Sequence, residues 1–170
     1  MVDNGTFAIS RSDTFAFGGV ISGSGAFAQI GPGTTILTAA NTYSGGTAIN
    51  GGVLAVAADA NLGAASGGLA FGGGTLQFLS GFTTNRAVTL NAGGGAFDTN
   101  GNNAVLGGAI SGAGGLTELG SGALTLLGSS SYTGATAVNA GTLRAGAANA
   151  FAPGSAFTVS LPPLTAVAPL

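Results

Sequence analysis

GPGTTILTAANTYSGGTAINGGVLAV, residues 31–56, decides how this chain is read, because it returns as GSGALTLLGSSSYTGATAVNAGTLRA at residues 120–145. A shift of 89 positions, from Gly31 to Gly120, superposes Gly31, Gly33, Leu37, Tyr43, Gly45, Thr47, Ala48, Asn50, Gly52 and Leu54 on identical residues. The match continues upstream, where GGVISGSGAFAQIG at 18–31 returns as GGAISGAGGLTELG at 107–120. The two copies therefore span 18–56 and 107–145. Spacing kept over that length is the mark of an array architecture.

Around the repeats lie short strand-like pieces, among them TFAIS, TFAF, LAF, TLQFL and AVTLN, parted by glycine-rich turn signals. A helix needs apolar residues at three-and-four spacing over 10 to 12 residues without glycine, and no window supplies them. Residues 55–65, AVAADANLGAA, come nearest and read as a loop or a short turn. Short strands could build a sandwich, a barrel or a solenoid, and the repeat selects the solenoid. In a parallel β-helix each coil of about 20–25 residues stacks its strands on those of the coil before, so glycines turn corners and aliphatic residues and Phe fill a narrow core. The expected fold class is all-β, a single-stranded parallel β-helix of about seven coils over residues 1–160. An irregular tail at 161–170 follows, where Pro162, Pro163 and Pro169 remove ladder donors.

Composition narrows the function. The chain has 170 residues, 45% of them hydrophobic, only 5% charged, and its mean hydropathy is +0.54, so it is too apolar for a disordered linker. Gly, Ser, Asn or Thr interrupts every apolar run, so no membrane span is expected. The net charge of −2, with Arg11, Arg86 and Arg144 scattered and no lysine, argues against nucleic acid and anionic membranes as partners. There is no cysteine to report a redox compartment. The opening MVDNGTFAIS lacks the basic and apolar regions of a secretory signal peptide.

The repeats resemble the autotransporter-associated β-strand repeat of bacterial type V secretion passengers, whose pattern is GxGxLTLxGxNTYTGGTxVNxGTL. The resemblance covers nearly all of residues 18–160 and implies a right-handed coil, a bacterial cell-surface or extracellular location for the parent protein, and a structural or adhesive role. Gln29 and Glu118 stand where the family's lead-in places lysine, Asn41 becomes Ser130, and Gly46 becomes Ala135. These read as surface or turn exchanges. The amphipathic strands of the family's outer-membrane barrel are not seen in this stretch, so a passenger fragment is expected.

Candidate chemistry is sparse. Without His, Cys or Lys, a Ser–His–Asp hydrolase and a zinc site are both excluded. A glycosidase-like pair would need two of Asp3, Asp13, Asp59, Asp98 and Glu118 on one face. Asp98 in GGGAFDTNGNN reads as a turn former before a calcium ligand. Tyr43 and Tyr132, equivalent by the repeat, read as partly buried capping positions about four coils apart, and Asn50 and Asn139 as turn or ladder residues. Thr34, Thr35, Thr83 and Thr84 do not recur at one coil spacing, which argues against an ice-binding face. The sequon-like Asn4-Gly5-Thr6 carries little weight. No catalytic, cofactor-binding or metal residue is assigned, no cofactor is expected, and the protein reads as a non-enzyme. The expected role is a stalk or adhesin segment, or a spacer, with a fragment of a polysaccharide-acting passenger as the alternative. Expected partners are a host-surface or matrix protein or a glycan, and other copies through open solenoid ends.

Overall fold

The computed structural model describes residues 1–160, and the Pro-containing tail at 161–170 lies outside the described residues. The chain forms an all-β solenoid of parallel strands with about eight turns. That is one turn more than expected, because the coils advance about 19–22 residues along the sequence, which is less than the spacing assumed.

Coil one holds β1 (Thr6–Ile9) and β2 (Thr14–Phe17), coil two β3 (Ala26–Gln29) and β4 (Thr34–Leu37), and coil three β5 (Thr47–Ile49) and β6 (Val53–Val56). Coil four holds β7 (Leu69–Phe71), β8 (Thr75–Phe78) and β9 (Thr83–Thr84). Coil five holds β10 (Val88–Leu90), β11 (Gly95–Asp98) and β12 (Asn103–Leu106), and coil six β13 (Ile110–Ser111), β14 (Leu116–Glu118) and β15 (Ala123–Leu126). β16 (Thr136–Val138), β17 (Thr142–Ala145) and β18 (Phe157–Val159) follow. The strands stack into three sheets. The first runs β1-β3-β5-β7-β10-β13, the second from β2 to β18 through β4, β6, β8, β11, β14 and β16, and the third β9-β12-β15-β17. A 3₁₀ turn at Asp59–Leu62 is the only helical element among the described residues and sits in the stretch expected to be a loop or turn.

Alternation within each strand sends every second side chain inward. In the first sheet one inner row runs Phe7, Phe27, Thr47, Leu69, Val88, Ile110, and the next runs Ile9, Gln29, Ile49, Phe71, Leu90. Phe71 and Phe97 meet across the core at 4.9 Å between ring centroids. Fully burying one such side chain contributes about 1.5–3 kcal/mol, against the entropy of ordering so many short strands. Glycine is required where the copies turn most tightly. Gly23 and Gly112, equivalent by the repeat, have φ of 110° and 115°, and a Cβ would run into the carbonyl oxygens of Asp3 and Leu90.

Like residues do not sit over like across the two copies. Four rungs of the first sheet carry Phe27 through Thr47, Leu69 and Val88 to Ile110, a climb of 83 residues. The repeat advances 89, six residues further, and its counterpart of Phe27 is Leu116, on β14 of the second sheet. The second copy is therefore four coils on and one face round. Each copy makes two strands followed by an arc, 38–46 in the first and 127–135 in the second. The first arc closes the side where coils four to six place the third sheet. The second crosses the first-sheet side, where Ser130 bridges Ile110.

Candidate functional surface

Outward positions are small and uncharged over most of two faces. On the first sheet a row runs Ala8, Ala28, Ala48, Ala70, Thr89, Ser111. On the second a row runs Thr14, Thr34, Val53, Thr75, Ala96, Thr117, Ala137, Thr158. Five threonines thus share one row, Thr14 and Thr34 on neighbouring coils and Thr75, Thr117 and Thr158 on alternate ones, with Val53, Ala96 and Ala137 between. Thr34 belongs to this row, whereas Thr35 and Thr84 are buried and Thr83 is exposed. Because coil length varies, a fixed count along the sequence misses the row.

Two shallow grooves indent these faces. One of about 230 Å³ lies among Gly46, Ala48, Gly68 and Ala70 on the first sheet. The other, of about 260 Å³, lies among Gly73, Gly94, Ala96 and Thr117 beside the threonine row. No acid or arginine lines either groove.

The acids are placed apart from these grooves. Asp13 receives the Arg11 guanidinium at 2.6 Å on an exposed corner, which lowers its pKa and raises that of Arg11. Asp59 receives Arg86 Nε at 2.8 Å and Nη2 at 3.0 Å. Arg86 is 3% exposed and also donates to the carbonyls of Asp59, Gly63, Ala64 and Gly67, pinning the whole 3₁₀ loop. The arginines expected to be scattered thus include two with acid partners. Asp98 accepts Gln77 Nε2 at 2.7 Å and the Asn100 N–H at 2.8 Å, which is the turn-forming role expected of it. Asp98 and Glu118 reach adjacent strands, but Asp98 lies in an outer row and Glu118 in an inner one, so the sheet separates them. No group of three metal-ligating residues forms among the described residues.

Gln29 and Glu118 are not surface exchanges. Both are fully buried, each in an inner row, Gln29 between Ile9 and Ile49 and Glu118 between Phe97 and Val138. The alternation in Phe27-Ala28-Gln29 and Leu116-Thr117-Glu118 is the signal that finds them, since residues two apart share a face. Gln29 Nε2 donates to the Gly31 and Gly33 carbonyls at 3.0 and 3.2 Å, and its Oε1 accepts the Thr35 hydroxyl at 2.6 Å. Glu118 Oε1 accepts the Thr99 hydroxyl at 3.0 Å and the Gly120 N–H at 3.1 Å, while its buried Oε2 has no partner. Burial, helped by the Asp98 charge, pushes its carboxyl up to about 7 against the pull of those hydrogen bonds.

Tyr43 and Tyr132 are fully buried, beyond the partial burial expected. Tyr43 Oη meets Thr47 Oγ1 at 2.7 Å, and Tyr132 Oη meets Thr136 Oγ1 at 2.6 Å. Neither can stack on a ligand. The asparagine ladder forms at Asn41 and Asn61, where Asn41 Nδ2 donates to the Asn61 carbonyl at 2.7 Å and Asn61 Nδ2 to Ala39 at 2.9 Å. Asn50 and Asn139 are exposed. Asn4 of the sequon accepts the Ser24 N–H at 3.1 Å and so joins the first two coils. Among the described residues no helix is long and apolar enough to cross a membrane.

Residues 27–56 and 111–145 match the Passenger-associated-transport-repeat family. The chain is also 42% identical over 127 residues to the Adhesin BmaC autotransporter of Brucella suis biovar 1 (strain 1330). That alignment covers 75% of this chain and 4% of the relative, so the chain spans a small part of the relative's length. No solved structure matches.

Proposed function

The chain carries autotransporter passenger repeats, and on that premise we propose that it is a non-catalytic, adhesin-like segment of a secreted passenger, displayed at the bacterial cell surface. The observation that carries this reading is the pair of outer faces, whose outward strand positions are uncharged except for Asp98. Rows of Ala, Ser and Thr on flat parallel sheets offer backbone-close contact to a host-surface or matrix protein or a glycan, with little charge to desolvate. The eight strands of the second sheet, at about 4.8 Å per rung, make a rod about 34 Å long. Stacked on further coils, such a rod holds its faces away from the membrane. Arg86 and Asp59 are committed to each other and to loop carbonyls, which favours the adhesive role over a polysaccharide-acting one.

The purified chain, immobilised and screened against host-matrix proteins and a glycan array, is expected to retain at least one. Replacing Ala48 and Ala70 with Glu, on the first-sheet face, should abolish retention while leaving the melting temperature close to that of the parent. Retention of no matrix protein or glycan, or hydrolysis of an arrayed polysaccharide, overturns the reading.

A further inference from the structure

We propose that Glu118 is carried as a neutral carboxylic acid whose Oε2–H donates to the glycine corner after β14, so that the sixth coil is latched at acidic pH and loosens as the pH rises. The first copy of the repeat shows the bond that this corner is built for. At the equivalent position Gln29 turns an amide nitrogen, an obligate donor, toward the carbonyls of Gly31 and Gly33. Their counterparts are Gly120 and Gly122. Among the described residues nothing donates to the Gly120 carbonyl, and Glu118 Oε2 is buried without a partner. An ionised carboxylate can only accept, so it would leave both groups unmade inside the core. A protonated one satisfies both with a single hydrogen bond.

The surroundings offer no cation to hold the ionised form. β11 and β16 flank β14 in the second sheet, and the adjoining turns lead to β12 and β15. Across these four strands the only charged side chain is Asp98, whose negative charge opposes ionisation of Glu118. Arg144 lies on β17, beyond β15 in the third sheet. Desolvation acts in the same direction.

The sign of the pH effect follows from linkage. A carboxyl held protonated in the fold above its unfolded range gives stability that is complete below the unfolded value, near 4.5, and lost as the pH rises through about 7. The chain has no His or Cys, so no other side chain is due to titrate between about pH 5 and pH 8.

Glu118 is also the only glutamate, so glutamate labelled with ¹³C at the carboxyl reports on it alone. Its NMR resonance is expected to titrate in the neutral range, and the melting temperature of the parent to fall between about pH 5 and pH 8. Glu118→Gln, which restores the donor of the first copy, should remove that fall and melt higher than the parent at the alkaline end. A carboxyl resonance that titrates in the ordinary glutamate range, or parent and Glu118→Gln chains whose melting temperatures change in parallel with pH, overturns the proposal. Should Glu118→Gln fail to fold, the resonance in the parent chain still decides.

Discussion

The first and second copies of the repeat share their local structure but not their surroundings. β6 and β17 occupy equivalent positions, yet β6 has neighbours on both sides, β4 and β8, and buries Leu54 completely, while among the described residues β17 is the last strand of the third sheet and leaves its Leu143 partly exposed. The arcs that follow differ more. Residues 57–67 hold Asp59 and Asn61 and are tied down by Arg86 from the next coil, whereas the matching positions in 146–156 are Ala148 and Ala150. The repeat specifies corners and strands, and the coil stacked above decides how firmly each is held.

Removing the Arg86 clamp should break this contrast most. Arg86→Ala leaves the Asp59 carboxylate and four loop carbonyls without their buried partner, an expected loss of about 3–5 kcal/mol. Chemical denaturation should show it as a lower midpoint. Hydrogen exchange gives the sharper reading: in the parent chain amides of 57–67 should be protected well beyond those of 146–156, and in Arg86→Ala the two arcs should exchange alike.

The strand positions carry a smaller difference. Leu54→Ala opens a cavity in a fully enclosed row and should cost about 2–5 kcal/mol, while Leu143→Ala, with solvent already at hand, should cost about 1 kcal/mol. Equal losses would mean that the end coil is covered in solution, the outcome expected if copies associate through their open ends. Sedimentation over a range of concentrations would then show the association.

How much of this was legible in the sequence follows from which features are local. The strands, the glycine corners and the solenoid itself follow from alternation and the 89-residue shift, both visible along the chain. The one-face rotation between copies was not, because it depends on the accumulated length of four coils that differ by up to three residues. The same cause hid the threonine row, and it hid the meeting of Arg86 with Asp59, 27 residues earlier. Gln29 and Glu118 are a different failure: their inward direction was readable from strand alternation, but polarity suggested the surface. A parallel solenoid buries polar side chains at its corners because turning backbone leaves carbonyls there to be satisfied.

The buried tyrosines show what does not depend on the surroundings. Tyr43 and Tyr132 each close a four-residue loop onto a threonine hydroxyl, at 2.7 and 2.6 Å, and that bond lies wholly within the copy. Tyr43→Phe and Tyr132→Phe should therefore cost nearly the same, about 0.5–1.5 kcal/mol each, because the threonine keeps a second partner in both: Leu62 O for Thr47 and Ser155 Oγ for Thr136. Burial holds the Tyr43 phenol up to about 12, so its contribution is complete below the ordinary phenol range near 10 and is lost as the pH rises through about 12. In Tyr132→Phe, Tyr43 is the one tyrosine left. Its absorbance should then change late, together with alkaline unfolding, and a phenol that ionised near 10 while the fold persisted would show that the first arc opens on its own.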